Sequence, residues 1–114
     1  MFLAVHNGNF EQEVLQATLP VLVNIWAPWC GVCRVVNPVL SQFQAQTHGQ
    51  YKIVTLNADH NLPIANAYRI TTLPTLLVFY QGEVCNRIEG FRYREHWELA
   101  LEEIDRDRPQ RLSA

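Results

Sequence analysis

Apolar residues in this chain form two kinds of segment, short continuous runs and stripes at helical spacing, and the two kinds alternate. The run Val21-Leu22-Val23-Asn24-Ile25-Trp26, inside Pro20 to Ala27, has the length of a strand buried on both faces. Phe2 to His6 predicts a short first strand, Tyr51 to Asn57 a third, and Thr75 to Tyr80 a strongly β-forming fourth. Gln81-Gly82 is the turn that sends the chain back along Glu83 to Glu89, where Gly90 stops it. Helices fit between these runs. Asn9 is placed to cap Phe10 to Gln16, with Gln12 reciprocating, and Asn61 to cap a short helix through Tyr68 with Pro63 in its first turn. Val36, Val39, Leu40 and Phe43 mark a longer helix from Cys30 to His48-Gly49, bent by Pro38. Trp97, Ala100, Leu101 and Ile104 form the buried stripe of a last helix, with Glu95, Glu98, Glu102 and Glu103 toward water. The alternation predicts one α/β domain over residues 1–107, with 108–114 a frayed polar tail.

Composition narrows the field. A chain of 114 residues, 48% hydrophobic, builds a core without disulfide staples, so its three cysteines are free for chemistry. Nine Lys and Arg against eleven Asp and Glu, with Lys52 the only lysine, provide no basic footprint for nucleic acid or an anionic membrane. Val14 to Cys33 is uncharged and long enough to span a bilayer, but Gln16, Thr18, Pro20, Asn24 and Pro28 interrupt it. The first Lys or Arg is Arg34, so no basic segment leads an apolar one as a secretory signal requires, and the cytoplasm is the expected compartment. The odd cysteine count agrees with a reducing environment.

The chemistry gathers at Trp29-Cys30-Gly31-Val32-Cys33, where the central strand hands the chain to the longest helix. Two intervening residues at a helix start let two sulfurs reach disulfide distance, and unpaired N–H groups of the first turn stabilise a thiolate at Cys30. Cys30 is therefore the expected nucleophile. Cys33, one turn inward and less exposed, keeps its proton until a mixed disulfide forms and then resolves it. Gly31 leaves Cys30 unscreened toward a bulky substrate, while Val32 is ordinary helix filler. The competing meaning of Cys-x-x-Cys is half a zinc site. Its other half is missing, because Cys85 lies in a different element and His6, His48, His60 and His96 form no second pair at ligand spacing. No metal and no bound cofactor are expected. Cys85 is read as a small buried hydrophobe, and Trp97, Tyr51, Tyr68 and Phe79 as packing residues.

Trp26-Ala27-Pro28-Trp29-Cys30-Gly31-Val32-Cys33 resembles the active site of the thioredoxin family. Pro38, Asn57-Ala58-Asp59, Leu73-Pro74-Thr75-Leu76, Gly82 and Gly90 stand at similar separations, so the resemblance spans residues 2 to 105. It implies a thioredoxin fold, a central mixed five-stranded sheet flanked by four helices. It also implies a thiol:disulfide oxidoreductase that reduces disulfide-containing client proteins, draws electrons from a separate reductase and works as a monomer. Pro74 is implied to be cis, and Thr72, Leu73, Pro74, Trp29 and Gly90 to form a docking groove around Cys30, with Trp26 supporting the loop. Two alternatives stay open: an oxidase or isomerase role with a less reducing couple, and a binding module that uses the groove without turnover.

Three departures from the family pattern bear on mechanism. Val32 stands where proline is usual, which frees a φ angle, adds an N–H near the sulfurs and should make the couple less reducing. Asn24 stands where a buried aspartate is usual beneath the inner cysteine, and an amide cannot accept the Cys33 proton. Thr55 replaces a nearby buried lysine, so both members of a charge pair are absent together. Loss of one alone would cost about 3 to 5 kcal/mol, whereas loss of both can be neutral. Glu89 precedes Gly90 where an apolar residue is common, and Ala58 is smaller than usual. A carboxylate at Glu89 would favour basic client segments.

Overall fold

The five β-forming runs become one mixed sheet in the computed structural model, which describes residues 2–107. Its strands lie in the order β1 (Leu3–Val5), β3 (Lys52–Asn57), β2 (Val21–Trp26), β4 (Thr75–Tyr80) and β5 (Glu83–Glu89). β3 runs parallel to β1 and β2, while β4 runs antiparallel to β2 and β5. Among the described residues, four helices flank the sheet, as the family resemblance implies: Glu11–Leu15, α1 (Cys33–Gln46), α2 (Leu62–Ala67) and α3 (Arg94–Arg106), with a short 3₁₀ turn at Ala58–His60 after β3. The tail expected at 108–114 lies outside the described residues.

The central strand explains the layering. Every β2 residue except Trp26 is buried, because alternate side chains feed two separate cores. Leu22 joins Ile53, Leu76 and Val78 beneath α1 and α3, which contribute Val36, Val39, Leu40 and Phe43 on one side and Trp97, Leu101 and Ile104 on the other. Val21, Val23 and Ile25 join Val54, Leu56, Leu77 and Phe79 on the opposite face, under Phe10, Val14 and Ala65. Both helical stripes predicted from spacing are thus the stripes that are buried, and α1 runs on through Pro38.

Four local expectations are corrected. The helix expected from Cys30 begins at Cys33, so Cys30 lies in the approach to α1 and not in its first turn. Asn9 does not cap the next helix; its Oδ1 accepts the His6 N–H at 2.8 Å, and the following segment closes π-type, with Gln16 N–H donating to the Glu11 carbonyl at 2.9 Å. Asn61 occupies the cap position of α2, but its Oδ1 accepts the Asn7 N–H at 2.9 Å and its Nδ2 donates to the Asn57 carbonyl at 2.8 Å. At Asn61 the Asn7 N–H, 54 residues away, takes the oxygen that the local cap would use.

Cys85 is exposed, not buried. Val78 pairs with Asn86 and Phe79 with Val84, which leaves Cys85 as the extra residue of a β-bulge on the edge strand, its sulfur 3.8 Å from the Glu83 carbonyl. An edge strand covered on neither side of the bulge has no core to receive it.

Gln81 and Gly82 both take positive φ, 53° and 83°, the two-residue reversal that matches strand twist. A Cβ on Gly82 would also stand 3.3 Å from the Leu15 carbonyl. Gly82→Ala should therefore destabilise the fold by about 1 kcal/mol or more, read as a lowered midpoint in urea denaturation at unchanged slope.

Candidate active site

β2 ends at Trp26, and the chain turns through a Cys30 N–H to Ala27 carbonyl bond of 3.1 Å before α1 begins. Arg34 and Val35 N–H groups then reach back to the Gly31 and Val32 carbonyls at 3.3 and 3.0 Å, tightening the helix start. No side chain caps that start, and two of its first amide protons, those of Arg34 and Val35, are already bonded within the turn. Cys30 and Cys33 are joined as a disulfide with Cα atoms 5.5 Å apart. Cys30 is 9% exposed and Cys33 5%, which keeps the expected order of outer and inner sulfur. Beside them, a Cβ on Gly31 would meet nothing within 4 Å, so neither backbone nor neighbours demand glycine there. Its effect is open space next to Cys30.

The remaining expected residues come to the same end of the sheet. Trp29 is 70% exposed, and its Nε1 donates to Asp59 Oδ2 at 2.9 Å. Asp59 was not among the expected site residues; its only sequence signal is its place in Asn57-Ala58-Asp59. Its position follows from register, since Trp26 lies beside Asn57 and the chain turns there with Asp59 N–H donating to Asn57 Oδ1 at 2.9 Å. The Leu73–Pro74 bond is cis, as the resemblance implied. Thr75 pairs with both Ile25 and Glu89, which sets Pro74 and Gly90 at the edge from which β2 departs toward Cys30. Pro74 is buried, Leu73 half-buried and Thr72 exposed, with the Thr72 carbonyl accepting the Thr75 hydroxyl. Gly90 is exposed at φ 85°.

Glu89 is not a lone carboxylate. Arg87 Nε donates to its Oε2 at 2.8 Å, and the same guanidinium donates to the Tyr68 carbonyl at 2.6 Å and the Arg69 carbonyl at 2.7 Å. Those carbonyls end α2, where a cation is favoured by the helix dipole. Arg87 therefore fastens the edge strand to the segment that leads into Thr72-Leu73-Pro74.

Beneath the disulfide, Asn24 is 2% exposed and lies in register beside Thr55. Its Nδ2 donates to Asn37 Oδ1 at 3.4 Å, while its Oδ1 meets no protein donor. A cleft of about 390 Å³ opens here between α1, β2 and β3 and touches Asn24, Trp26, Thr55 and both cysteines.

With this geometry in view, the comparisons are direct. The thioredoxin family profile matches residues 1–103. This chain belongs to the thioredoxin family. It is 44% identical over 87 residues to Thioredoxin 1 of Synechococcus elongatus, covering 76% of this chain and 81% of that protein. Thioredoxin 1 of Nostoc sp. is 43% identical, with 75% and 80% covered, and the chloroplastic M-type thioredoxin of Chlamydomonas reinhardtii is 40% identical, with 76% and 62% covered. A thioredoxin-family Cys-x-x-Cys pair able to form a disulfide makes the chain a thiol:disulfide oxidoreductase, a protein-disulfide reductase. Among the described residues, no helix is long and apolar enough to cross a membrane, and no three His, Cys, Asp or Glu side chains gather as a metal site.

Arg87→Ala tests the fastening of the docking segment. Removing about 1 kcal/mol of positioning should raise KM for a protein disulfide about fivefold while leaving the rate with a small aromatic disulfide unchanged. Steady-state assays with the two substrates read the split.

Proposed function

We propose that Cys30 attacks a client protein's disulfide and that Cys33 then releases the reduced client. The supporting observation is the Cys30–Cys33 disulfide at the start of α1, with the outer sulfur the more exposed. In the first step the Cys30 thiolate bonds to one client sulfur, and the other leaves as a thiolate that takes a proton from solvent. In the second step the Cys33 proton departs, its sulfur bonds to Cys30, and the remaining client sulfur leaves and is protonated. Two electrons and two protons have then passed to the client.

The extended client segment docks along Trp29, Thr72, Leu73, Pro74 and Gly90. Pro74 offers no N–H there, so pairing with the client backbone falls to its neighbours. Trp29 is held by Asp59 and stands as an exposed aromatic platform beside Cys30, and Trp26 supports the loop from the strand side. Glu89, tied to Arg87, adds little net charge to the groove, so its pull on basic clients is weak. A separate reductase returns the electrons, and the protein works as a monomer in the cytosol. No observation in the fold or the site favours the oxidase, isomerase or non-catalytic reading.

Insulin reduction by dithiothreitol should be accelerated by the wild-type chain and not by Cys30→Ser, whereas Cys33→Ser should accumulate a mixed disulfide with client visible on non-reducing gels. Equal turnover by Cys30→Ser would discard the assignment of the nucleophile.

Val32 also sets the couple. Its free φ and extra N–H relax the turn that proline would hold, so the reduction potential should lie above the value of about −270 mV general for thioredoxin. Equilibration against glutathione measures it, and a potential at or below that value contradicts the proposed effect of Val32.

A further inference from the structure

The cleft behind the disulfide has no part in the two steps above, yet one requirement of the second step converges on it. Cys33 must lose a proton as it attacks, and none of the residues lining the cleft is Asp, Glu or His. Its walls mix apolar side chains such as Phe2 and Pro28 with polar ones, and Arg34 adds a cation. Asn37 and Ser41 from α1, and Asn24 and Thr55 from the strands, surround a space of about 390 Å³ that reaches Cys33. The α1 residues are exposed, so the cleft opens to solvent, while Asn24 forms its buried floor. There the Asn24 Oδ1 lacks a protein donor, so a buried acceptor faces the space unmet. A space of this size with an unmet acceptor at its floor holds water, and equally a small heterocycle or other donor-bearing base.

We infer that this cleft is an access site through which a small base from solution takes the Cys33 proton during resolution. The inference rests on Cys33 being the resolving sulfur. Short side chains at Asn24 and Thr55 leave the room; a neutral amide and hydroxyl in place of a charge pair leave the thiol without an internal base. The base accepts the proton from Cys33 Sγ, the thiolate forms a bond to Cys30 Sγ, and the Cys30–client bond breaks. The client thiolate then takes up a proton, so no electron or proton is unaccounted for. The two sulfurs are tethered side by side, and an outside base accelerates release only where proton removal, not exchange between them, is the slow event, which is what the test reads.

The test uses the full reduced chain loaded at acidic pH with a peptide carrying a pyridyl disulfide, then shifted to neutral pH while peptide thiol release is followed. At fixed pH and ionic strength, release should rise several-fold with added imidazole and respond little to 2,6-dimethylpyridine, a base of similar strength whose two methyl groups crowd its nitrogen and which has no N–H for Asn24 Oδ1. Ser41→Phe, at the exposed mouth, should remove most of the imidazole dependence. Asn24→Asp should raise the rate without imidazole and flatten its dependence; should that variant fold poorly, Ser41→Phe decides alone. Release independent of imidazole, equal responses to the two bases, or an unchanged response in Ser41→Phe overturns the inference. Failure of the wild-type chain to release peptide at all, by contrast, would defeat the assignment of Cys33 itself.

Discussion

The structure depends on β2 being held on four sides. β3 and β4 bond its edges, and two apolar layers bury its faces. Each of its buried aliphatic side chains contributes about 1.5 to 3 kcal/mol relative to exposure, so a shift of one residue would exchange the two faces and lose most of that gain. The exit point at Trp26 is fixed by this register. Cys30 and Cys33 follow within seven residues, too few to relocate the sulfurs anywhere but in front of α1.

The same pinning gathers groups that are remote in sequence. Parallel pairing with β3 brings Asp59 to Trp29, and antiparallel pairing with β4 brings Pro74 and, through β5, Gly90. Binding and chemistry therefore share the carboxyl end of the central strand, the usual place for ligands in open sheets with parallel strands. Arg87 adds a cross-brace from the edge strand to the carbonyls that end α2. A side chain well away from the sulfurs thereby braces the segment that leads into the cis Leu73–Pro74 bond.

The strand residues paired beneath the disulfide are both neutral. Asn24 and Thr55 sit side by side, so neither position strands an uncompensated ion. Around them lies a cleft of mixed lining with one unmet acceptor next to the inner cysteine.

Most of the fold was legible because it is written in short-range pattern. The strands at Thr75–Tyr80 and Glu83–Glu89 have the bounds that β propensity and a Gln-Gly turn prescribe, and the α1 and α3 stripes follow a 3.6-residue period. Cys30-Gly31-Val32-Cys33 and Leu73-Pro74-Thr75 carry the redox site and its family in contiguous residues. Such features are determined by sequence alone, since steric and hydrophobic preferences act over one or two turns. Tertiary structure decided the rest: the bulge that turned Cys85 outward, the distant Asn7 N–H that took the Asn61 side-chain oxygen from its helix, the Arg87 brace, and the cleft beneath Cys33. Each of these is a competition between a local preference and a distant group, and distance in space is set only when the strands are in register.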